Sequence, residues 1–121
     1  MKTCLIIDDS RVIRKIIRQI LESLGYICKE AIDGKIALAD CAETMPDLVI
    51  LDWNMPVMNG YDFLIALRQM QDGDLPVVIF CTTESSTASI EKAMLGGVNE
   101  YMVKPFDADL LKSKLTKLGL L

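Results

Sequence analysis

The sequence predicts a doubly wound α/β fold in which a parallel β-sheet is covered by helices on both faces. Short, continuously apolar runs recur along the 121 residues, as expected for strands that are buried on both sides. Amphipathic stretches with helical periodicity separate them. Five strands and five helices therefore alternate strictly, which specifies parallel strands joined by helical crossovers.

The strands are predicted from the apolar runs. Three of the runs are strongly apolar, at 4–7, 48–51 and 77–81. Two weaker strands are predicted at 26–31 and 100–103, where apolar and polar residues mix. Each run has the length of an ordinary strand and is too short for a helix of typical length.

The helices are predicted from apolar stripes and capping residues. The first helix has Ser10 as a candidate N-cap and Gly25 just past its end. Its apolar stripe comprises Ile13, Ile16, Ile17, Ile20, Leu21 and Leu24. The other helices are expected over 34–44, 61–70 and 86–95, and after the N-cap candidate Asp107.

The composition excludes several classes of function. The chain has no histidine, which rules out histidine-based metal sites, catalysis by Ser-His-Asp or Cys-His groups, and a role as a phosphohistidine carrier. A net charge of −4 has the wrong sign for a direct nucleic-acid partner. No apolar run is long enough to insert in a membrane and no signal peptide is recognisable, so we expect a cytoplasmic protein. The four cysteines lack C-x-x-C spacing and are expected to be buried structural thiols.

Polar side chains follow four of the predicted strands. Asp8 and Asp9 follow the first, Asp52 the third, Thr82 the fourth and Lys104 the fifth. Functional groups of open α/β sheets collect beyond the carboxyl ends of the strands. We therefore expect three carboxylates, a hydroxyl and an ammonium to meet across a shallow cleft.

Such a cluster favours a bound divalent cation. Two carboxylates about 4 Å apart repel by roughly 4 kcal/mol at an effective dielectric constant of 20. One lysine cannot neutralise three of them. Mg²⁺ suits a few carboxylates together with water and phosphate oxygens, and Mn²⁺ could substitute for it, whereas zinc and copper are poor candidates here.

With a cation present, one carboxylate could act as a nucleophile toward phosphorus and form an aspartyl phosphate. Asp52 is the better candidate because it ends the predicted central strand. Asp8 and Asp9 are better placed to hold the metal. Lys104 and Thr82 could stabilise the charge on the transferred group.

Four motifs, in order along the chain, resemble one family of signalling domains. They are the pair Asp8-Asp9, the segment 52–60 (DWNMPVMNG), Thr82, and the segment 101–106 (YMVKPF). Together they resemble the receiver domains of two-component response regulators, and in particular single-domain chemotaxis regulators of the CheY type. The resemblance spans essentially the whole chain. It implies a flavodoxin-like (βα)5 fold with strand order 2-1-3-4-5, forming one receiver domain over 1–121 without a separate output domain.

The resemblance also implies roles for the clustered residues. Asp52 would be the phosphoacceptor and, with Asp9, a direct Mg²⁺ ligand. Asp8 would act mainly through water, and the main-chain carbonyl of Asn54 would complete the metal site. Lys104 would pair with the phosphoryl group, and its peptide bond to Pro105 would be cis. The domain would catalyse its own phosphorylation and dephosphorylation without being a conventional enzyme.

A switch and a signal lifetime are implied as well. On phosphorylation, Thr82 would move toward the phosphoryl group and Tyr101 would enter the vacated space. The fourth helix, fifth strand and fifth helix would then be read by a downstream effector protein. Asn54 and Glu84 match regulators that lose the phosphoryl group quickly. Thr83 departs from the smaller residue of many relatives, which bears on reaction rates.

The implied phosphodonor is a phosphohistidine on a histidine kinase or a histidine phosphotransfer protein, and small phosphodonors could replace it. In this family the first helix contacts that partner. The basic cluster on this helix, with Arg18 beside it, is therefore a candidate kinase-docking face. Its residues are Arg11, Arg14 and Lys15.

The sequence argues against two other functions and leaves two alternatives. A phosphohydrolase would carry a second aspartate two positions after the nucleophile, where this chain has Asn54. A nucleotide- or flavin-binding module would need a glycine-rich loop after the first strand, where Asp8-Asp9 lies instead. A receiver that acts as a phosphate shuttle or sink in another pathway, and a receiver-like scaffold that is never phosphorylated, are the remaining alternatives.

Overall fold

The computed structural model describes residues 2–83 and 87–121, which form a five-stranded parallel sheet with helices on both faces. The strand order is β2-β1-β3-β4-β5, as the resemblance implied. The fold class and the sheet order are thus confirmed. The elements in chain order are β1 (Thr3–Ile7), α1 (Arg11–Ser23), β2 (Ile27–Ala31), α2 (Gly34–Glu43), β3 (Leu48–Asp52), α3 (Gly60–Gln69), β4 (Val77–Thr82), α4 (Thr87–Gly96), β5 (Glu100–Val103) and α5 (Ala108–Lys117).

The predicted element boundaries agree closely with the structure. The helix predicted over 61–70 begins and ends one residue earlier, and the one predicted over 34–44 ends one residue earlier. One difference concerns the site: Asp52 and Thr82 are the last residues of β3 and β4, whereas the sequence placed them just beyond these strands. Their main chains therefore still belong to the sheet.

The predicted helix caps are confirmed. The Ser10 hydroxyl accepts a hydrogen bond from the N–H of Ile13, and the Asp107 carboxylate accepts one from Leu110. Gly25 follows the end of α1 with φ of +92°, a conformation that glycine adopts without steric cost.

Two apolar cores lie on opposite faces of the sheet. One face is covered by α1 and α5, through residues such as Ile17 and Leu111. The other face is covered by α2, α3 and α4, through residues such as Phe63 and Ala93. Every residue of β3 is buried because this strand lies at the centre of the sheet. No helix among the described residues is long and apolar enough to cross a bilayer.

All four cysteines are free and buried, which confirms the expectation of structural thiols. Burial is the largest cause of the raised pKa of each thiol, to about 11 for Cys28 and Cys41 and to about 12 for Cys81. Thiols with raised pKa values are poor nucleophiles at neutral pH.

The loop between β3 and α3 contains a strained valine. Val57 has φ of +69°, in the left-handed region, and its side chain is 77% exposed. A β-branched residue is rarely found there because its Cβ substituents crowd the main chain. Little packing offsets this strain, since most of the side chain contacts solvent.

We expect Val57→Asn to raise the free energy of unfolding by about 1 kcal/mol, because asparagine tolerates the left-handed conformation. Urea unfolding would measure the change. Val57→Ala is the matched control: it removes the branch but has no polar side chain to hydrogen-bond the local main chain, so it should gain less. An Asn variant no more stable than the wild type would contradict the prediction.

Candidate active site at the carboxyl edge of the sheet

The carboxyl ends of the central strands bring the predicted polar residues together. Asp8 directly follows β1, Asp52 ends β3, Thr82 ends β4 and Lys104 directly follows β5. One carboxylate oxygen from each of Asp8, Asp9 and Asp52 lies within 4.8 Å of the other two. The sequence-based prediction of a carboxylate cluster at this edge thus agrees with the geometry.

Lys104 links two of the three carboxylates. Its Nζ donates to Asp8 Oδ2 at 2.9 Å and to Asp52 Oδ1 at 3.2 Å. Asp8 and Asp52 are 2% and 7% exposed, whereas Asp9 is exposed to solvent. The two buried carboxylates therefore share a single ammonium, and the third lies at the mouth of the site.

Burial and repulsion perturb the acidity of the site. Burial, together with the negative charge of Asp8, raises the pKa of Asp52 to about 6, although Lys104 partly opposes the shift. Burial alone would lower the pKa of Lys104, but its hydrogen bond to Asp8 and the charge of Asp52 outweigh this and raise the pKa. Lys104 therefore stays protonated at neutral pH, whereas Asp52 gains or loses its proton near pH 6.

The donor set fits a hard divalent cation. Three carboxylates and one ammonium leave two negative charges uncompensated when all are ionised. All the candidate ligands are oxygens, which Mg²⁺ prefers over nitrogen and sulfur. The geometry thus supports the predicted magnesium site, with Asp8, Asp9 and Asp52 as the residues that could hold the ion.

The main chain after Asp52 is held by close contact with α3. The N–H of Gly60 donates to the carbonyl of Trp53 at 3.0 Å. A Cβ at position 60 would lie 2.5 Å from the carbonyl oxygen of Asp52, so only glycine allows this approach. Trp53 packs on Phe80 of β4 with ring centroids 4.6 Å apart. Asp52 is consequently anchored by both its strand and the following helix.

Two further predicted site residues lie in the loops that follow β3 and β4. Asn54 is exposed in the loop two residues after Asp52, and Thr83 is exposed just beyond β4. Their proposed effects on the metal and on rates stay predictions. Glu84 lies outside the described residues. The Lys104–Pro105 peptide bond is cis, as the resemblance implied.

The residues predicted to form a switch lie on adjacent strands. Thr82 is 1% exposed at the end of β4, and Tyr101 is half-buried on β5. The Tyr101 ring lies 6.2 Å from that of Phe80, and Lys114 Nζ lies 5.1 Å from the Tyr101 ring centroid. The switch itself stays a prediction.

The basic cluster on α1 does not form one exposed face, which corrects the expectation for Arg14. Arg11 and Lys15 are exposed, but Arg14 is 8% exposed and faces the sheet. Helical phase was the signal that could have shown this, because Arg14 lies three and seven residues before the buried Ile17 and Leu21. The charge of Arg14 masked that signal, since charged residues are seldom buried unless they are paired.

Comparison with known proteins agrees with the resemblance. A family model described as the response regulator receiver domain matches residues 4–116. The chain is 40% identical over 115 residues to the chemotaxis protein CheY of Pseudomonas aeruginosa, covering 94% of this chain and 93% of that protein. It is 37% identical over 116 residues to the chemotaxis protein CheY1 of Helicobacter pylori, covering 92% and 91%.

Solved structures show the same architecture. The chemotaxis response regulator CheY4 of Vibrio cholerae superposes with a TM-score of 0.92 at 33% identity, covering 98% of each chain. The receiver domain of a Pseudomonas aeruginosa sensor histidine kinase, solved with a magnesium ion in its active-site cleft, has a TM-score of 0.87 at 27% identity, covering 96% and 95%. This chain therefore belongs to the response regulator receiver domain family, with chemotaxis proteins of the CheY type among its relatives.

Proposed function

We propose that Asp52 accepts a phosphoryl group from a phosphohistidine on a histidine kinase or a histidine phosphotransfer protein. The observation that carries this proposal is a buried carboxylate at the end of the central strand, bound to Lys104 within a cluster of three acids. Membership of the receiver family supports the same role.

We propose that Asp8, Asp9, Asp52 and the main-chain carbonyl of Asn54 hold Mg²⁺, with Asp8 acting mainly through water. The bound ion would compensate the charge that the acids and the phosphoryl oxygens bring together. Mn²⁺ has the same preference for oxygen ligands and could replace it. The magnesium ion in the related receiver domain supports this assignment.

In the transfer, a carboxylate oxygen of Asp52 forms a bond to phosphorus while the bond from phosphorus to the donor nitrogen breaks. The imidazole leaves with the electron pair of that bond. Lys104 already lies within hydrogen-bonding distance of Asp52, so its ammonium can follow the developing charge on the phosphoryl oxygens. Thr82 ends the adjacent strand and supplies a hydroxyl at the same edge. Attack of water on the aspartyl phosphate would end the signal, and Asn54 and Glu84 would set its lifetime.

For output, we propose that Thr82 and Tyr101 couple phosphorylation to the surface formed by α4, β5 and α5, which a downstream effector protein reads. Chemotaxis is the pathway that the relatives favour. The match extends over 93% of the Pseudomonas chemotaxis protein, which supports a similar role for this domain. We further propose that the domain acts in the cytoplasm.

For input, we propose that the exposed face of α1 docks the phosphodonor domain. Arg11 and Lys15 supply positive charge there, and Val12 and Ile16 are 67% and 45% exposed. A groove between α1 and the segment after β5 borders this face, and it is lined in part by Lys104. Arg14 is buried and does not belong to the docking face.

We expect the protein to gain one phosphoryl group when it is incubated with acetyl phosphate and Mg²⁺, as measured by intact mass. The adduct should be absent in Asp52→Asn and after chelation of the metal, because both the nucleophile and the cation are required. Asp109→Asn, which changes an exposed acid of α5, is the matched control and should be modified normally. An adduct that survives in Asp52→Asn would refute the assignment of the acceptor.

We expect the Mg²⁺ affinity to rise with pH through about 6, because Asp52 must lose a proton before it can bind a cation. The single tryptophan, Trp53, is a suitable fluorescent reporter beside Asp52. Without metal, Asp52 binds its proton more tightly in the folded protein than in the unfolded chain. Its contribution to the free energy of unfolding is therefore fully present below the pKa of the unfolded chain and is lost as the pH rises through about 6. The stability of Asp52→Asn should lack this dependence on pH. A Mg²⁺ affinity of the wild-type protein that is constant through pH 6 would show that Asp52 is not a ligand.

We expect Lys104→Met to slow phosphorylation by acetyl phosphate about a hundredfold at a pH well above the pKa of Asp52, because a positive charge beside the reacting group is lost. The same change should tighten Mg²⁺ binding, since it removes an ammonium that competes for Asp8 and Asp52. Lys112→Met, at an exposed position of α5, is the control. An unchanged phosphorylation rate would contradict the role of Lys104.

A further inference from the structure

Arg14 connects α1 with both β2 and the main chain of Asp8. Its Nη1 donates to the carbonyl oxygen of Asp8 at 2.6 Å, and its Nε donates to Glu30 Oε1 at 3.0 Å. The side chain of Arg14 is only 10% exposed. Because the guanidinium is planar and uses two of its edges, these contacts fix its orientation. Hydrogen bonds from a charged donor are also stronger than those between neutral groups.

Asp8 is held at each of its four polar positions. Its N–H donates to the carbonyl of Ala31 at 3.1 Å. Its Oδ1 accepts from the N–H of Ser10 at 2.8 Å and its Oδ2 from Lys104 at 2.9 Å. The fourth polar position, the main-chain carbonyl oxygen, accepts from Nη1 of Arg14. The only side chain that holds the main chain of Asp8 is thus that of Arg14, within the part of the chain that the structure describes.

The carbonyl of Asp8 belongs to the same rigid peptide plane as the N–H of Asp9. Fixing that oxygen therefore fixes the direction in which the chain enters Asp9. The side chain of Asp9 is exposed, so surrounding packing does little to hold its carboxylate near Asp52. Its position depends instead on the main chain that Arg14 holds.

We propose that Arg14, itself held by Glu30, is a positioning residue that orients the Asp8–Asp9 peptide and thereby sets the affinity of the site for a divalent cation. This rests on the proposed magnesium-dependent function and assigns it a residue that touches neither the metal nor the phosphoryl group. Glu30 is suited to hold Arg14, because the hydrogen bond from Arg18 and the one from Arg14 lower its pKa and keep it ionised.

The direction in which the Mg²⁺ affinity changes when Arg14 is replaced distinguishes a positioning role from a purely electrostatic one. Arg14 is a cation close to a cation site, so removing its charge should by itself strengthen Mg²⁺ binding. Loss of the hydrogen bond to Asp8 should instead weaken binding, because the carboxylates would be less well ordered. A weaker affinity after loss of a positive charge therefore has no purely electrostatic explanation.

The test compares Arg14→Met, Arg14→Lys and Arg18→Met by titrating each folded protein with Mg²⁺ alone, using Trp53 fluorescence, and by urea unfolding. Arg18→Met is the matched control, because Arg18 binds the other oxygen of Glu30 and Glu22 on the next turn of α1. We expect Arg14→Met to weaken Mg²⁺ binding about tenfold. Arg14→Lys should weaken it less, since an ammonium can still donate to one of the two acceptors but cannot bind both at once. Arg18→Met should lie within about twofold of the wild type, as expected for a more exposed ion pair.

A folded Arg14→Met protein with unchanged or tighter Mg²⁺ binding would overturn the proposal, whatever its stability. If Arg14→Met does not fold, Arg14→Lys decides, because it keeps the positive charge and loses one of the two contacts: weaker Mg²⁺ binding than in the wild type supports the proposal, and wild-type affinity overturns it. If the wild-type protein binds no Mg²⁺, the proposed metal site and this inference fail together. Wild-type binding with no difference between Arg14→Met and Arg18→Met rejects the inference alone.

Discussion

Mutual repulsion of three carboxylates within 4.8 Å of one another is the constraint on which the arrangement of this edge of the sheet depends. The repulsion results from the parallel pairing of β1 and β3. Ile7 pairs with Leu51, so the residues that follow them, Asp8 and Asp52, lie side by side. Burial disfavours the charged form of Asp52 directly, and the negative charge of Asp8 adds to this effect, so that the pKa of Asp52 rises to about 6. Lys104 relieves part of this repulsion. The negative charge that remains makes the edge a site for a hard cation and, with a cation bound, for a phosphoryl group.

A cluster of like charges keeps its geometry only where the main chain is held firmly. At Asp8, neighbouring strands and helices bind the main chain on both sides, through Ala31 and Arg14. At Asp52, the strand ladder holds one side, and the close approach of Gly60 restricts the other. The side chains can therefore be ordered before a cation arrives, which lowers the entropy lost on binding. Asp9 differs, since it is exposed and takes its position from the peptide that precedes it.

Helix α1 combines two roles on two faces. Its inner face packs Ile17 and Leu21 on the sheet and presents Arg14 to Asp8. Its outer face exposes Arg11 and Lys15, the proposed contacts for a phosphodonor domain. The surface that would receive the partner and the side chain that holds the acidic pair are thus parts of one rigid element. In a helix, residues three and four apart share a face, so neighbouring basic residues can have entirely different surroundings.

The sequence by itself determined the fold class, the order of helices and strands, the caps at Ser10 and Asp107, and the collection of acids and a lysine at one edge. These features depend on local periodicity, on side-chain bonds to nearby main chain, and on the rule that parallel strands end on the same side. The strand order itself came from the family resemblance and was confirmed by the structure. Only the tertiary structure decided that Arg14 binds Glu30 on β2 and the carbonyl of Asp8, and that Asp52 has a raised pKa. Each of these depends on which elements lie side by side and how much water they exclude, and such long-range contacts leave no mark in the local pattern of residues.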